Sequence, residues 1–103
     1  MEFSYSFDFQ TLASHYKTGL LKPTAVVAEV FSRIHASGDD HVWTHVLPQA
    51  DVMQAAQALE QRRNQRGDAL PLYGLPFAIK DNIDVAGLPT TAACPAFAYI
   101  ADK

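Results

Sequence analysis

The sequence predicts an α/β fold with three helices and two or three strands. Three segments whose apolar residues recur at helical spacing occupy most of the first 65 residues. Val42 to Leu47 is instead rich in β-branched and aromatic residues and reads as a short strand. Leu75 to Ile79 is apolar at every position, Pro76 included. Such runs belong to strands buried on both faces of a parallel or mixed sheet. One partner strand and three helices cover such a strand thinly. The 103 residues are therefore expected to be the opening section of a larger α/β domain.

Residues 1–37 read as helical. In the first helix Asp8 is the N-cap, Phe9, Leu12, Ala13 and Tyr16 share one face, and Gly19 is the stop. The second starts near Pro23, a residue suited to the first helical turn. Its apolar stripe is Val26, Val27, Val30, Phe31 and Ile34, and it ends before Ser37 and Gly38. After the strand at 42–47 a third helix spans 51–66, burying Val52, Ala55, Ala56 and Leu59, with Gly67 as its stop. A core strand and its following loop occupy 74–99, with Leu75 to Lys80 as the strand and Ile83 to Val85 as a short continuation. Pro76 removes one ladder donor from that strand. The residues from Ala86 onward are expected to be loop. At the start of the chain, Phe3, Tyr5, Phe7 and Phe9 alternate, and they are expected to pack with the first helix into its own core.

Composition narrows the function. The chain is 49% hydrophobic and 18% charged, with a formal net charge of -3. It lacks the basic face that nucleic acid requires. Arg62, Arg63 and Arg66 fall in the last turn of the third helix, where cations suit the carbonyl end of the helix dipole. No apolar run approaches a bilayer span, and the first residues do not resemble a signal peptide. The single cysteine, Cys94, has no internal disulfide partner, which fits a reducing, cytoplasmic compartment. It reads as a buried or incidental thiol, because no separate motif supports it as a nucleophile. His41 and His45 are four apart, but on a strand that spacing separates them by about 13 Å, too far for easy chelation. No metal or cofactor is expected, and phosphate-cradling glycine motifs are absent.

The chemistry concentrates at Lys80. Side chains alternate along a strand, so Lys80 shares a face with Pro76 and Ala78, at the strand's carboxyl end. Ligand sites in open α/β sheets gather at such ends. A lysine in a partly apolar place is disfavoured as the cation and can act as a general base. The residues alone leave a second reading open, in which Lys80 caps the strand and pairs with Asp81 or Asp84 at the surface.

The stretch Gly74-Leu75-Pro76-Phe77-Ala78-Ile79-Lys80-Asp81-Asn82-Ile83 resembles the start of the amidase signature family. The continuation DVAGLPTTAACPAFAY looks most like the allophanate hydrolase branch, which completes urea breakdown by the carboxylase route. The resemblance implies the N-terminal portion of a mixed-sheet amidase domain and hydrolysis of a C–N amide bond by a Ser–cis-Ser–Lys triad without cofactor. Lys80 matches the triad lysine. Asp81 and Asn82 match motif positions that fix the loop behind it, and Thr90 and Thr91 match a Thr-Thr with a structural role. The implied partner is a small-molecule amide, with neither nucleic acid nor membrane, and the full-length enzyme is a candidate homodimer. The family's two serines lie in a Gly/Ser-rich segment downstream of the lysine, whereas the last serine here is Ser37. These 103 residues alone are accordingly expected to be inactive, as part of a longer amidase or as an amidase-like fragment. Another amidase, including the amidase component of the tRNA-dependent amidotransferase, is the alternative within the family.

Overall fold

The computed structural model describes residues 6–38, 42–66 and 70–103. They divide into two compact units, Met1–Gly38 with Leu47–Pro76 and Asp39–Val46 with Phe77–Lys103.

The first unit is helical, with α1 at Phe9–Thr18, α2 at Pro23–Ser37 and α3 at Gln49–Arg66. Asp8 caps α1 by accepting the Thr11 amide at 3.0 Å. Its pKa is lowered to about 2, chiefly by hydrogen bonding from Thr11 and next by the Ser6 hydroxyl, which stabilise the carboxylate. Gly19 ends the helix in the left-handed region at φ 79°, as expected. Pro23 opens α2, but Lys22, its N-cap residue, makes no side-chain cap bond. The cap comes from another helix: Glu60 of α3 accepts both the Thr24 amide at 3.0 Å and the Thr24 hydroxyl at 2.8 Å. This tie joins α2 to α3 where an orphan helix donor would otherwise stand.

The core of this unit is Leu12, Tyr16, Leu21 and Val26, with Phe7, Val30, Tyr73 and Leu75 packed against it. Burial of a side chain such as Leu12 or Val26 stabilises by about 1.5–3 kcal/mol. Phe31 and Ala56 are also buried, whereas Phe9 is exposed. Phe7 joins the core as expected of the alternating aromatic start, whereas Phe9, expected there with it, does not; Phe3 and Tyr5 lie outside the described residues. α3 starts at Gln49, two residues before the expected Asp51, and of its predicted face only Ala56 is buried while Ala55 is exposed.

The strands differ from expectation. Neither Val42 to Leu47, nor Leu75 to Lys80, nor Ile83 to Val85 forms a strand. A helix makes its backbone hydrogen bonds within itself, but a strand needs a neighbouring strand, and among the described residues no strand pairs with these segments. Leu75 instead closes a turn, its amide donating to the Leu72 carbonyl at 3.1 Å. Phe77 is 83% exposed, where burial on both faces was expected. The strands that do form are β1 at Pro89–Thr90 and β2 at Tyr99–Ile100, within the segment read as loop. They pair antiparallel, Pro89 opposite Ile100 and Thr90 opposite Tyr99. A 3₁₀ turn at Pro95–Phe97 connects them, and bonds between Gly87 and Ala101 (2.7 Å) and between Ala101 and Leu88 (3.1 Å) extend the pairing.

Candidate active-site loop

Lys80 belongs to the second unit and opens a tight turn, its carbonyl accepting the Ile83 amide at 3.0 Å. The turn sends the chain back toward β1, so that the two carboxylates after the lysine both meet hydroxyl groups. Asp81 accepts the Thr91 amide at 2.9 Å and the Thr91 hydroxyl. Its own carbonyl accepts the Ala92 amide at 2.9 Å. Asp84 accepts the Thr90 hydroxyl at 2.8 Å and the Tyr99 hydroxyl at 2.6 Å, both on the same Oδ1. Thr90 is the buried member of this cluster, 2% exposed.

Hydrogen bonds to the ionised form stabilise it. The Thr91 hydroxyl, then the Thr91 amide, hold the Asp81 carboxyl below the ordinary range, with a smaller contribution from Thr44. Asp84 is lowered by Tyr99 and then Thr90. Tyr99 is raised in turn, first because its hydroxyl donates to that carboxylate. Ala92 and Ala93 sit at φ 50° and 61°, a region that L-residues other than Gly, Asn and Asp seldom occupy. The Ala92 amide on Asp81 and the Ala93 amide on the Thr91 Oγ1, at 3.2 Å, hold them there.

Lys80 is exposed, and among the described residues its amine has no hydrogen-bond or ion-pair partner. The surface pairing with Asp81 or Asp84 that the residues alone left open does not form: both acids are occupied elsewhere. Asp81, Thr90 and Thr91 come together as the loop's fastening. Asn82 is exposed and contributes no side-chain hydrogen bond. Tyr99 and its bond to Asp84 are not legible in the sequence, because a bond across fifteen residues leaves no local pattern. Cys94 is a free, exposed thiol. His41 lies outside the described residues, His45 is exposed, and no group of three metal-ligating side chains occurs among those described. No described helix is long and apolar enough to cross a membrane.

Fold and site together define a mixed α/β chain that presents an unpaired amine on a loop braced by hydroxyl-bound carboxylates. The chain belongs to the amidase family, whose model matches residues 25–103. It is similar to urea amidolyase of Saccharomyces cerevisiae, 50% identical over 64 residues, which is 62% of this chain and 3% of that protein. Urea amidolyase of Lachancea kluyveri is 46% identical over 61 residues, 59% of this chain and 3% of its own length. The A component of the glutamyl-tRNA(Gln) amidotransferase of Chlorobaculum tepidum is 36% identical over 86 residues, covering 82% of this chain and 18% of that polypeptide. The chain thus spans a small part of each of these relatives.

Proposed function

We propose that these residues supply the lysine of an amide-hydrolysing site whose substrate is allophanate, with Lys80 as the general base. The observation that carries the reading is the free amine of Lys80 at its motif position, with the neighbouring acids Asp81 and Asp84 bonded elsewhere. An ion-paired ammonium would be a poor proton acceptor. The similarity to urea amidolyases favours a urea-derived amide. In this reading the lysine takes a proton from the cis-serine, which takes that of the nucleophilic serine as the latter's oxygen adds to the amide carbon; the C–N bond then breaks as the proton returns along the relay to the nitrogen, which leaves as ammonia, and water hydrolyses the acyl-serine. No serine follows Ser37, so in this reading the triad's serines are supplied from outside these 103 residues. Exposed Phe77, Ile79 and Ile83 support the same view, since an apolar run of this kind is suited to cover by further sheet.

The test is ammonia release from allophanate by the natural gene product that carries these residues, its intact mass measured alongside. Lys80→Ala should lower the rate by roughly 10²–10⁴-fold, the usual share of a general base. An unchanged rate would remove Lys80 from the chemistry. A natural chain ending at Lys103 and releasing no ammonia would establish the inactive fragment instead. A second substrate, glutamine, belongs in the same assay because the match to the amidotransferase covers more of this chain, 82% against 62%.

A further inference from the structure

Two acids follow Lys80 closely, Asp81 and Asp84, yet neither meets the amine. Asp81 is adjacent in sequence, and Asp84 follows directly on the turn that the Ile83 amide closes onto the Lys80 carbonyl at 3.0 Å. A free carboxylate at either place would be a natural partner for an exposed ammonium. Each is instead held by hydroxyl groups on or beside β1 and β2: Asp81 by Thr91, Asp84 by Thr90 and Tyr99. Two donors converge on one oxygen of Asp84, Thr90 at 2.8 Å and Tyr99 at 2.6 Å, and fix the direction of that carboxylate. The remaining titratable groups described in this unit are His45, Cys94, Asp102 and Lys103, and none of them is bonded to Lys80.

We propose that Thr90, Thr91 and Tyr99 are positioning residues for Lys80, whose hydroxyls sequester Asp81 and Asp84 so that the amine stays free of an ion pair. The inference rests on the reading of Lys80 as a base, and it adds a task for three residues that touch no substrate. The hydroxyls do more than shape the loop: they decide which partner the acids have. A lysine flanked by two free carboxylates would hold its proton to higher pH and would accept one from a serine less readily.

The experiment follows the Lys80 Cε resonance by NMR across a pH titration of the full chain labelled with ¹³C-lysine. The resonance is assigned by its loss in Lys80→Arg. In Thr90→Val/Tyr99→Phe, Asp84 loses both hydroxyl donors, and the midpoint should rise. Adding Asp84→Asn to that double variant should return the midpoint to the wild-type value. Thr90→Ser, which keeps a hydroxyl, should leave it in place. Tyr99→Phe alone should give a partial rise, and this variant serves if the double variant does not fold, since Tyr99 is 45% exposed. A midpoint that does not move, or a rise that Asp84→Asn fails to reverse, overturns the proposal. The titration reads the amine directly and needs no turnover. Full activity in Lys80→Ala would thus sink the base assignment alone, and an unmoved midpoint would sink the sequestration alone.

Discussion

Replacing Gly74 by alanine tests how the first residue of the motif is held. Gly74 has φ +67°, and a Cβ built there would lie 2.8 Å from Pro23 Cγ, 2.8 Å from Tyr16 Cζ and 2.9 Å from Tyr16 Cε2. Neither neighbour has room to withdraw: Tyr16 is 4% exposed in the core cluster, its hydroxyl donates to the Gly74 carbonyl at 2.6 Å, and Pro23 is fully buried at the start of α2. Two costs add. The left-handed backbone costs an alanine about 1–2 kcal/mol. The overpacking adds about 1–3 kcal/mol, as for an extra methyl forced into a filled core. The sum is about 2–5 kcal/mol, against a total stability on the order of 5–15 kcal/mol for a domain. Gly19 is the internal control. It has φ +79° but nothing within 4 Å of its would-be Cβ, so Gly19→Ala should cost only about 1–2 kcal/mol. Urea unfolding of the full chain followed by circular dichroism measures both. Equal costs for the two variants would refute the reasoning, because the close approach of Gly74 to Tyr16 and Pro23 would then carry no energy.

Two further perturbations probe the helical unit. Glu60→Ala removes the acceptor that caps α2 from α3 and leaves the Thr24 amide and hydroxyl without it; a loss of about 1–2 kcal/mol is expected from thermal unfolding, and Thr24→Val in the Glu60→Ala background should add little. Asp8 is lowered in the folded chain to about 2 from an ordinary value of 3.8, so its contribution to stability is present above pH 3.8 and is lost as pH falls toward 2. Asp8→Asn should therefore flatten the fall of stability across that window and leave its slope near neutrality unchanged, as unfolding curves collected at stepped pH would show.

Helix boundaries were readable because their signals are local. Asp8, Gly19 and Pro23 each act within one turn of their own position, and the structure uses all three as expected. The strands were not readable from pattern alone. Leu75 to Ile79 has the composition of a two-sided strand, but composition does not supply the neighbour that makes one. The paired strands formed at Pro89–Thr90 and Tyr99–Ile100, where Pro89 and the preceding Gly87 suggested loop. At the site, the resemblance named Lys80, Asp81 and Asn82 and implied that Asp81 and Asn82 fix the loop; Asp81 bonds to Thr91, whereas the Asn82 side chain makes no hydrogen bond among the described residues. Tyr99 and its bond to Asp84 were hidden because that contact depends on how β1 and β2 bring residues fifteen apart together.

The positions of the motif separate by what holds them. Gly74 is explained by packing, since only a residue without a Cβ fits against Tyr16 and Pro23. Asp81 is explained by Thr91, and Asp84 by Thr90 and Tyr99. Turn geometry accounts for the Ile83 amide. Lys80 is explained by none of these: it buries no surface that the fold needs, and its amine bonds to nothing among the described residues. Structural roles therefore account for the residues around the lysine and leave the lysine itself without one. On the proposed reading that is what a proton acceptor requires, a lysine outside any ion pair.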